Sequence, residues 1–291
     1  MRKKKAGYNW YKLLLCGLVF FVIGGTAFCM VAESKESAEK RAEAEAERKA
    51  EEAAERKAEE AARVRKESLS LAPDVPAGTL EPDQDEKIVY LTFDDGPSEN
   101  TQRILDILKE YDVKATFFIT GAKENCRPLI KKAYEAGHTI GLHTYSHDYS
   151  DVYSSEEAYF KDLEKVGKVA EEQIGFVPYL IRFPGGSSNV VSAKYSQGIM
   201  SRLTEKVQEK GYQYYDWNVD SGDGGGAGID EIKTRSVTEQ YSHVVILFHD
   251  SQTKDGTVDA LPAVIDYYKE HGYEFRAIDR ESFVSHHAVQ N

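Results

Sequence analysis

Short apolar segments alternate with segments of helical periodicity from residue 87 onwards, and this alternation restricts the possible folds more than any other feature of the sequence. Apolar runs typical of buried strands occupy residues 88–93, 115–119, 139–142, 179–183, 212–219, 243–248 and 273–278. Helical patterns occupy residues 101–111, 128–136, 155–174, 201–210, 230–241 and 258–271. Such alternation predicts an α/β domain in which helices connect parallel strands. We expect an irregular barrel of about seven strands, with an open doubly wound sheet as the alternative.

The N-terminal region predicts a membrane anchor. Residues 13–32 are twenty consecutive residues without a charge, and they follow a cluster of basic side chains. That length suits a membrane-spanning helix, and the basic cluster indicates a cytoplasmic N-terminus with the remainder of the chain outside the cell membrane. We therefore assign residues 1–32 to a basic tip and an uncleaved anchor. The alternatives are a cleaved signal peptide and a lipoprotein signal at Cys29.

Residues 33–67 consist almost entirely of Ala, Glu, Lys and Arg, and the octapeptide AERKAEEA occurs twice in succession. These residues favour helix, and several acids precede a base by four positions, which stabilises a helix through side-chain pairing. Without apolar residues at heptad positions, the segment does not predict a coiled-coil seam. We expect a single charged helix acting as a spacer, or a partly disordered tether. Residues 68–86 are rich in turn-forming residues and predict a linker. We assign residues 87–285 to the globular domain.

The net charge of −12 argues against a nucleic-acid partner, because such proteins need a basic surface to displace counterions from phosphates. Only Cys126 lies in the globular region, so the sequence predicts no disulfide framework there. No motif indicates a protein partner.

Polar clusters lie at or just beyond the C-terminal ends of five of the predicted strands. They are TFDDGP at residues 92–97, HTYSH at 143–147, RFPGG at 182–186, DSGD at 220–223 and LFHD at 247–250. In a parallel barrel the active site forms at the C-terminal ends of the strands. We therefore expect these clusters to meet in one site.

Within these clusters, two histidines and an aspartate form a candidate metal site. His143 and His147 are four residues apart, and Asp95 supplies a carboxylate. Two imidazoles and one carboxylate suit Zn²⁺ or another divalent ion and leave positions for water and substrate. A His-x-x-x-His pair alone is weak evidence, since a surface pair has the same spacing.

The motifs TFDDG, HTYSH, R-x-P-x-G and the late L-x-H resemble, in this order, those of the polysaccharide deacetylase family, which includes chitin, peptidoglycan and xylan deacetylases. The resemblance covers about residues 87–278. It implies a distorted (β/α) barrel that removes acetyl groups from a sugar with a divalent metal ion, commonly zinc and otherwise Co²⁺ or Mn²⁺. By motif position, Asp95, His143 and His147 would hold the metal, and Asp94 would be the general base.

The same resemblance implies further roles. Arg182 would pair with Asp94, orient it and lower its pKa. The backbone N–H of Gly185 would stabilise the oxyanion. His249 would be the general acid, held by Asp223. As walls of the acetyl pocket, Trp217 and Leu247 are candidates, although a core role fits each equally well.

Two differences from the family's sequence pattern bear on which substrate fits. Many family members carry an aromatic residue and a tryptophan where this chain has Gly185 and Gly224, so we expect a more open groove near the metal. The motifs RFPGGS and YDWNVDSGD resemble cell-wall deacetylases of Gram-positive bacteria. We therefore expect removal of N-acetyl groups from the N-acetylglucosamine or N-acetylmuramic acid residues of peptidoglycan. The alternatives are an O-acetyl esterase acting on xylan or a similar glycan and an inactive glycan-binding protein.

Overall fold

The computed structural model describes residues 10–121 and 123–291, with side chains of the first helix described at residue 37 and from residue 40 onwards. Helix α1 spans Trp10–Leu69. The basic tip at residues 1–9 and the side chains of the predicted anchor at residues 13–32 lie outside the described residues. Within the part that is described, no helix has both the length and the apolar character needed to cross a membrane. The anchor therefore stays a prediction.

Helix α1 includes the predicted spacer at residues 33–67. Its side chains from Lys40 to Val64 are exposed, and pairs such as Glu45 and Lys49, whose charged atoms lie 2.6 Å apart, follow the expected four-residue spacing. Each exposed pair of this kind contributes only a few tenths of a kcal/mol. The chain divides into two compact units after Val64, and the second unit contains all the strands.

The second unit is built on a curved sheet of parallel strands. The strands are β1 (Ile88–Gly96), β2 (Ala115–Ile119), β3 (Thr139–Leu142), β4 (Leu180–Ile181), β5 (Gln213–Tyr214), β6 (Val219–Asp220), β7 (His243–His249) and β8 (Glu274–Phe275). Seven of them are adjacent in the order β5-β4-β3-β2-β1-β7-β6, and β8 pairs with the start of β1. This order forms a half-barrel, which agrees with the expected distorted (β/α) barrel. The barrel is open between β5 and β6.

The opening lies where the sequence predicted one continuous strand at residues 212–219. The chain leaves the sheet after Tyr214 and rejoins it at Val219. The carbonyl oxygens of Tyr215 and Asp216 accept hydrogen bonds from the Arg182 guanidinium at 2.8 and 3.0 Å. An arginine side chain thus occupies the gap between β5 and β6.

Helices follow most of the strands. They are α2 (Glu99–Glu110), α3 (Pro128–Glu135), α4 (Tyr149–Val152), α5 (Glu156–Ile174), α6 (Ile199–Glu209), α7 (Ile229–Arg235) and α8 (Asp255–Glu270). Six of them match predicted helices. Helix α7 ends six residues before its predicted end at residue 241, where the Ser236 carbonyl accepts a hydrogen bond from Tyr268. Helix α4 was not predicted, because a single turn carries no periodicity; Asp148 caps it by accepting from the N–H of Ser150.

The strands bury both faces, and alternate side chains enter two different clusters. On β1, Val89, Leu91 and Phe93 pack against the surrounding helices, whereas Ile88 and Tyr90 belong to a smaller cluster inside the half-barrel. Thr92 and Asp94 continue the inner row. This alternation determines which side chains reach the site.

Residues 68–86, predicted to be a linker, pack closely on the domain. Leu69 is buried with the inner cluster, and Leu71 donates from its backbone N–H to the Val177 carbonyl. Gly78 and Thr79 donate in the same way to the carbonyls of Arg280 and Ser282. The Arg280 side chain donates in turn to the carbonyls of Ser68 and Ser70. The segment is therefore part of the compact unit, which begins at Arg65.

Candidate active site

Strand alternation directs four of the expected side chains to the inner face of the half-barrel. Asp94 and His249 are paired residues at the C-terminal ends of β1 and β7. His143 follows β3 and Arg182 follows β4. Successive side chains of a strand point to opposite faces. Each of the four residues lies an even number of positions after a residue whose side chain points to the inner face, so all four point to the same site.

The three predicted metal ligands lie together. One ligand atom each from Asp95, His143 and His147 fall within 4.8 Å of one another. Asp95 Oδ1 is 3.7 Å from His143 Nε2 and 3.5 Å from His147 Nε2. Beside them opens a cleft of about 230 Å³, whose lining includes Asp95, His147 and Lys123.

The residues present fit a divalent metal ion. Asp95 Oδ1 is buried and has no hydrogen-bond partner among the described residues, which is costly unless a ligand satisfies it. His143 Nδ1 lies 2.8 Å from the Arg182 carbonyl oxygen, to which it donates, so Nε2 presents its lone pair to the cluster. Burial, followed by the nearby His147, lowers the pKa of His143 to about 3, which keeps the ring neutral.

Two of the three ligands adopt backbone conformations that are unusual for residues with side chains. Asp95 has φ 72° and His147 has φ 53°, both in the left-handed region. Non-glycine residues hold such conformations at a cost of about 1 to 3 kcal/mol, and they concentrate at functional sites. The fold therefore bears backbone strain at two of the three predicted metal ligands.

Asp94 is almost completely buried and pairs with Arg182. Arg182 Nη1 donates to Asp94 Oδ1 at 2.9 Å and also to Thr92 Oγ1 at 2.7 Å. The structure has the expected pairing, and Arg182 lowers the pKa of Asp94 as expected, but the sequence did not reveal the larger, opposite effect of burial. Burial raises the pKa of Asp94 above its ordinary value and outweighs the lowering caused by Arg182 and by His249.

His249 is held by Asp223, as expected. His249 Nδ1 lies 2.7 Å from Asp223 Oδ1, and its backbone N–H donates to Oδ2 at 2.8 Å. Thr257 Oγ1 also donates to Asp223 Oδ2, at 2.7 Å. Burial opposes charging of the ring, yet the hydrogen bond and charge of Asp223, with smaller contributions from Asp94 and Asp95, raise the pKa of His249 to about 9.

The three expected substrate-contacting residues have different surroundings. Gly185 lies in the loop after β4 with φ 77°, and its N–H has no acceptor among the described residues. Trp217 is half-buried in the gap between β5 and β6, with its ring centroid 5.7 Å from the Arg182 guanidinium. Leu247 is buried on the inner row of β7. The role of Gly185 as an oxyanion donor and the roles of Trp217 and Leu247 as walls of an acetyl pocket stay predictions.

Sequence reasoning assigned no role to several residues that shape the site. Asp250 accepts from Ser98 Oγ at 2.8 Å and Thr101 Oγ1 at 2.5 Å, while its backbone N–H donates to the Asp94 carbonyl. This fixes the turn that carries Asp94 and Asp95. The sequence signal that could have identified Asp250 is its position next to His249 in the motif LFHD. Burial raises the pKa of Asp250 to about 7.

A second buried aspartate anchors the loop after β4. Asp216 accepts from the backbone N–H groups of Ser187 and His287, each at 2.8 Å. His287 Nε2 in turn lies 2.7 Å from the Trp217 carbonyl oxygen. His287, to which sequence reasoning assigned no role, thus supports the loop that carries Gly185.

Comparison with known proteins identifies the family. A family model described as polysaccharide deacetylase matches residues 81–200. A peptidoglycan-N-acetylglucosamine deacetylase of Bacillus cereus is 34% identical over 209 residues, covering 68% of this chain and 72% of that protein. The chain belongs to the polysaccharide deacetylase family.

Solved structures of the family have the same fold. The catalytic domain of a peptidoglycan N-acetylglucosamine deacetylase from Eubacterium rectale matches with a TM-score of 0.70 and 40% identity, covering 76% of this chain and 100% of that one. The Xyl-CE4 domain of a multidomain xylanase from a Trinervitermes trinervoides hindgut metagenome matches with a TM-score of 0.56 and 26% identity, covering 66% of this chain and 87% of that one. Similarity therefore extends to family members whose names refer to different glycans.

Proposed function

We propose that this chain is a metal-dependent deacetylase that removes N-acetyl groups from peptidoglycan. The observation that carries the proposal is the placement of the buried Asp94 carboxylate, paired with Arg182, and of His249, paired with Asp223, beside the Asp95, His143 and His147 cluster. Base, acid and metal ligands are the set that metal-assisted hydrolysis of an amide uses. The Bacillus cereus and Eubacterium rectale relatives, both named as peptidoglycan deacetylases, support this choice of substrate.

Asp95, His143 and His147 would hold the metal ion. When bound, a divalent cation lowers the pKa of a coordinated water and polarises the acyl carbonyl. Asp94 would accept a proton from the attacking water. Burial raises its pKa and strengthens it as a base, while the 2.9 Å bond from Arg182 keeps the carboxylate oriented. Arg182 acts here as a positioning residue.

His249 would donate a proton to the departing sugar nitrogen. A pKa of about 9 keeps the imidazolium protonated at neutral pH. The two contacts from His249 to Asp223 fix the ring orientation, so that Nε2 is the remaining donor. The N–H of Gly185, which has no acceptor in the described part of the chain, would donate to the acyl oxygen as negative charge develops on it.

An O-acetyl esterase acting on xylan is the second candidate, supported by the similarity to the xylanase-associated domain. Attack on an ester carbonyl needs the same base and the same oxyanion donors. The inactive glycan-binding alternative is disfavoured because every position of the acid, base and ligand set is occupied.

Product analysis tests the proposal. The full-length protein, supplied with zinc or cobalt, is incubated with purified wall glycan and, separately, with acetylated xylan. Mass spectrometry of muropeptides should show loss of 42 Da per acetyl group, roughly the mass difference expected when an amide is hydrolysed to the free amine. The Asp94→Asn protein is the matched control. Failure of the wild type to release acetate from wall glycan would refute the proposal, and release from xylan alone would favour the esterase.

We also propose a location at the outer face of the cell membrane. The uncharged residues 13–32 after a basic cluster support an anchor, and the charged helical segment after it supports a spacer towards the wall. Full-length protein should sediment with membranes and become soluble when residues 1–32 are deleted. Equal solubility of both forms would contradict the anchor.

A further inference from the structure

Tyr149 lies between the metal ligands and the loop that carries Gly185. It is the first residue of α4, two residues after His147, and its partly buried ring meets the His147 ring edge-on at 5.9 Å between centroids. On its other side it packs against Tyr153 at 5.4 Å. These contacts fix the ring at the edge of the metal cluster.

The Tyr149 hydroxyl occupies the space next to Gly185. A Cβ atom added at Gly185 would lie 2.5 Å from Tyr149 Oη, closer than real Cβ contacts allow. Any side chain at residue 185 would therefore displace the hydroxyl. The glycine at this position, which the sequence suggested would leave the groove open, instead accommodates a tyrosine that comes from a different loop.

The neighbouring polar groups of this loop are paired, whereas two donors are not. Tyr153 Oη donates to the Pro184 carbonyl at 2.7 Å, and Asn189 Nδ2 donates to the same carbonyl at 3.1 Å. In contrast, the N–H of Gly185 and the O–H of Tyr149 have no acceptor among the described residues. Two adjacent unpaired donors beside a metal cluster match an oxygen atom that carries developing negative charge.

We propose that the Tyr149 hydroxyl is a substrate-contacting residue that donates a hydrogen bond to the acyl oxygen, together with the N–H of Gly185. This inference rests on the proposed deacetylase function. Tyr149 keeps its proton throughout, since its role is to stabilise charge and not to transfer a proton. Because the hydroxyl comes from the loop of the metal ligand His147, it makes oxyanion stabilisation depend on a side chain as well as on the backbone.

The first test is Tyr149→Phe in the full-length metal-loaded enzyme. Loss of one oxyanion donor should lower kcat on wall glycan by about 100-fold, with little change in KM, because the hydrogen bond strengthens in the transition state. Bound metal and the unfolding midpoint should equal those of the wild type. Tyr241→Phe is the matched control: Tyr241 is an exposed tyrosine two residues before β7, at the opposite end of that strand from the site, and loss of its hydroxyl should leave kcat and KM unchanged.

A second test uses the steric relation between the two residues. Gly185→Ala should lower kcat strongly in the wild type, because the new Cβ displaces the hydroxyl, and much less in Tyr149→Phe, where the hydroxyl is gone. Backbone strain at residue 185 is the same in both backgrounds and cancels in the double-mutant cycle. A kcat of Tyr149→Phe equal to that of the wild type, a raised KM with unchanged kcat, or additive effects in the cycle would each overturn the inference. A wild type that releases no acetate from any glycan would instead refute the proposed function, and this inference with it.

Discussion

Asp223→Asn removes the charge beside His249 while preserving the volume of the side chain. In the structure, Asp223 Oδ2 accepts from two donors, the His249 N–H and Thr257 Oγ1. An asparagine must place its carbonyl oxygen there, so its NH₂ group would face His249 Nδ1. That arrangement favours a neutral ring with an unprotonated Nδ1 and disfavours the imidazolium.

The size of the effect follows from the pKa of His249, which the surroundings raise from 6.5 to about 9. At about 1.4 kcal/mol per pKa unit, this corresponds to roughly 3 kcal/mol in favour of the protonated ring. If the pKa returns to 6.5, about 30-fold fewer molecules carry the proton at pH 8. The interaction between His249 and Asp223 also stabilises the folded state. Its contribution to the free energy of unfolding is complete below pH 6.5 and is lost as the pH rises through about 9.

The assay is kcat against pH, measured as acetate release between pH 5 and 10, together with NMR titration of the His249 ring. The wild-type rate should fall only near pH 9, and in Asp223→Asn this descending limb should move down by about 2 pH units or more. Thr257→Val, which removes a neutral donor to the same carboxylate, should move the limb far less. An Asp223→Asn enzyme whose descending limb stays at the wild-type pH would show that His249 is not the acid.

Asp94→Asn should lower kcat by about 10² to 10⁴ while the protein still binds zinc, as measured by metal analysis after dialysis; undiminished turnover would contradict its role as base. His143→Ala should abolish the rise in unfolding temperature on adding zinc, and an unchanged rise would place the metal elsewhere. Gly224→Ala places a Cβ 2.8 Å from the His249 ring and should lower kcat, whereas Gly225→Ala, which meets nothing within 4 Å, should leave kcat unchanged; equal effects would refute the steric argument. Leu69→Ala removes a buried side chain of the inner cluster and should lower the free energy of unfolding in urea by about 2 to 5 kcal/mol. An unchanged free energy of unfolding would show that the packing of residues 68–86 does not stabilise the domain.

Much of the site could be predicted because its residues follow regular strands. The apolar runs at residues 115–119 and 139–142 coincide with β2 and β3. Once the strands are known, the barrel rule places the following polar residues in one site, and the period of two decides which side chains enter it. Asp94, His143 and His249 could therefore be brought together from the sequence.

Other features depend on contacts between distant segments and leave no local pattern. In the gap between β5 and β6, the carbonyl groups of Tyr215 and Asp216 bind the Arg182 side chain, which is distant in sequence. Tyr149 lies in one helical turn, too short for any periodicity. The pKa of Asp94 depends on a balance between burial and the charge of Arg182, and the sequence reveals the partner without revealing the extent of burial.

The guanidinium between β5 and β6 has an evolutionary consequence. Of the four hydrogen bonds that the Arg182 side chain donates, the one to Asp94 orients the proposed base, and those to Thr92, Tyr215 and Asp216 hold the framework. A lineage that abandoned hydrolysis could lose Asp94 or a metal ligand and keep its fold, but it would retain the arginine. Among proteins with this fold, the arginine therefore indicates common ancestry, whereas the aspartate and the histidines indicate whether hydrolytic activity has been retained.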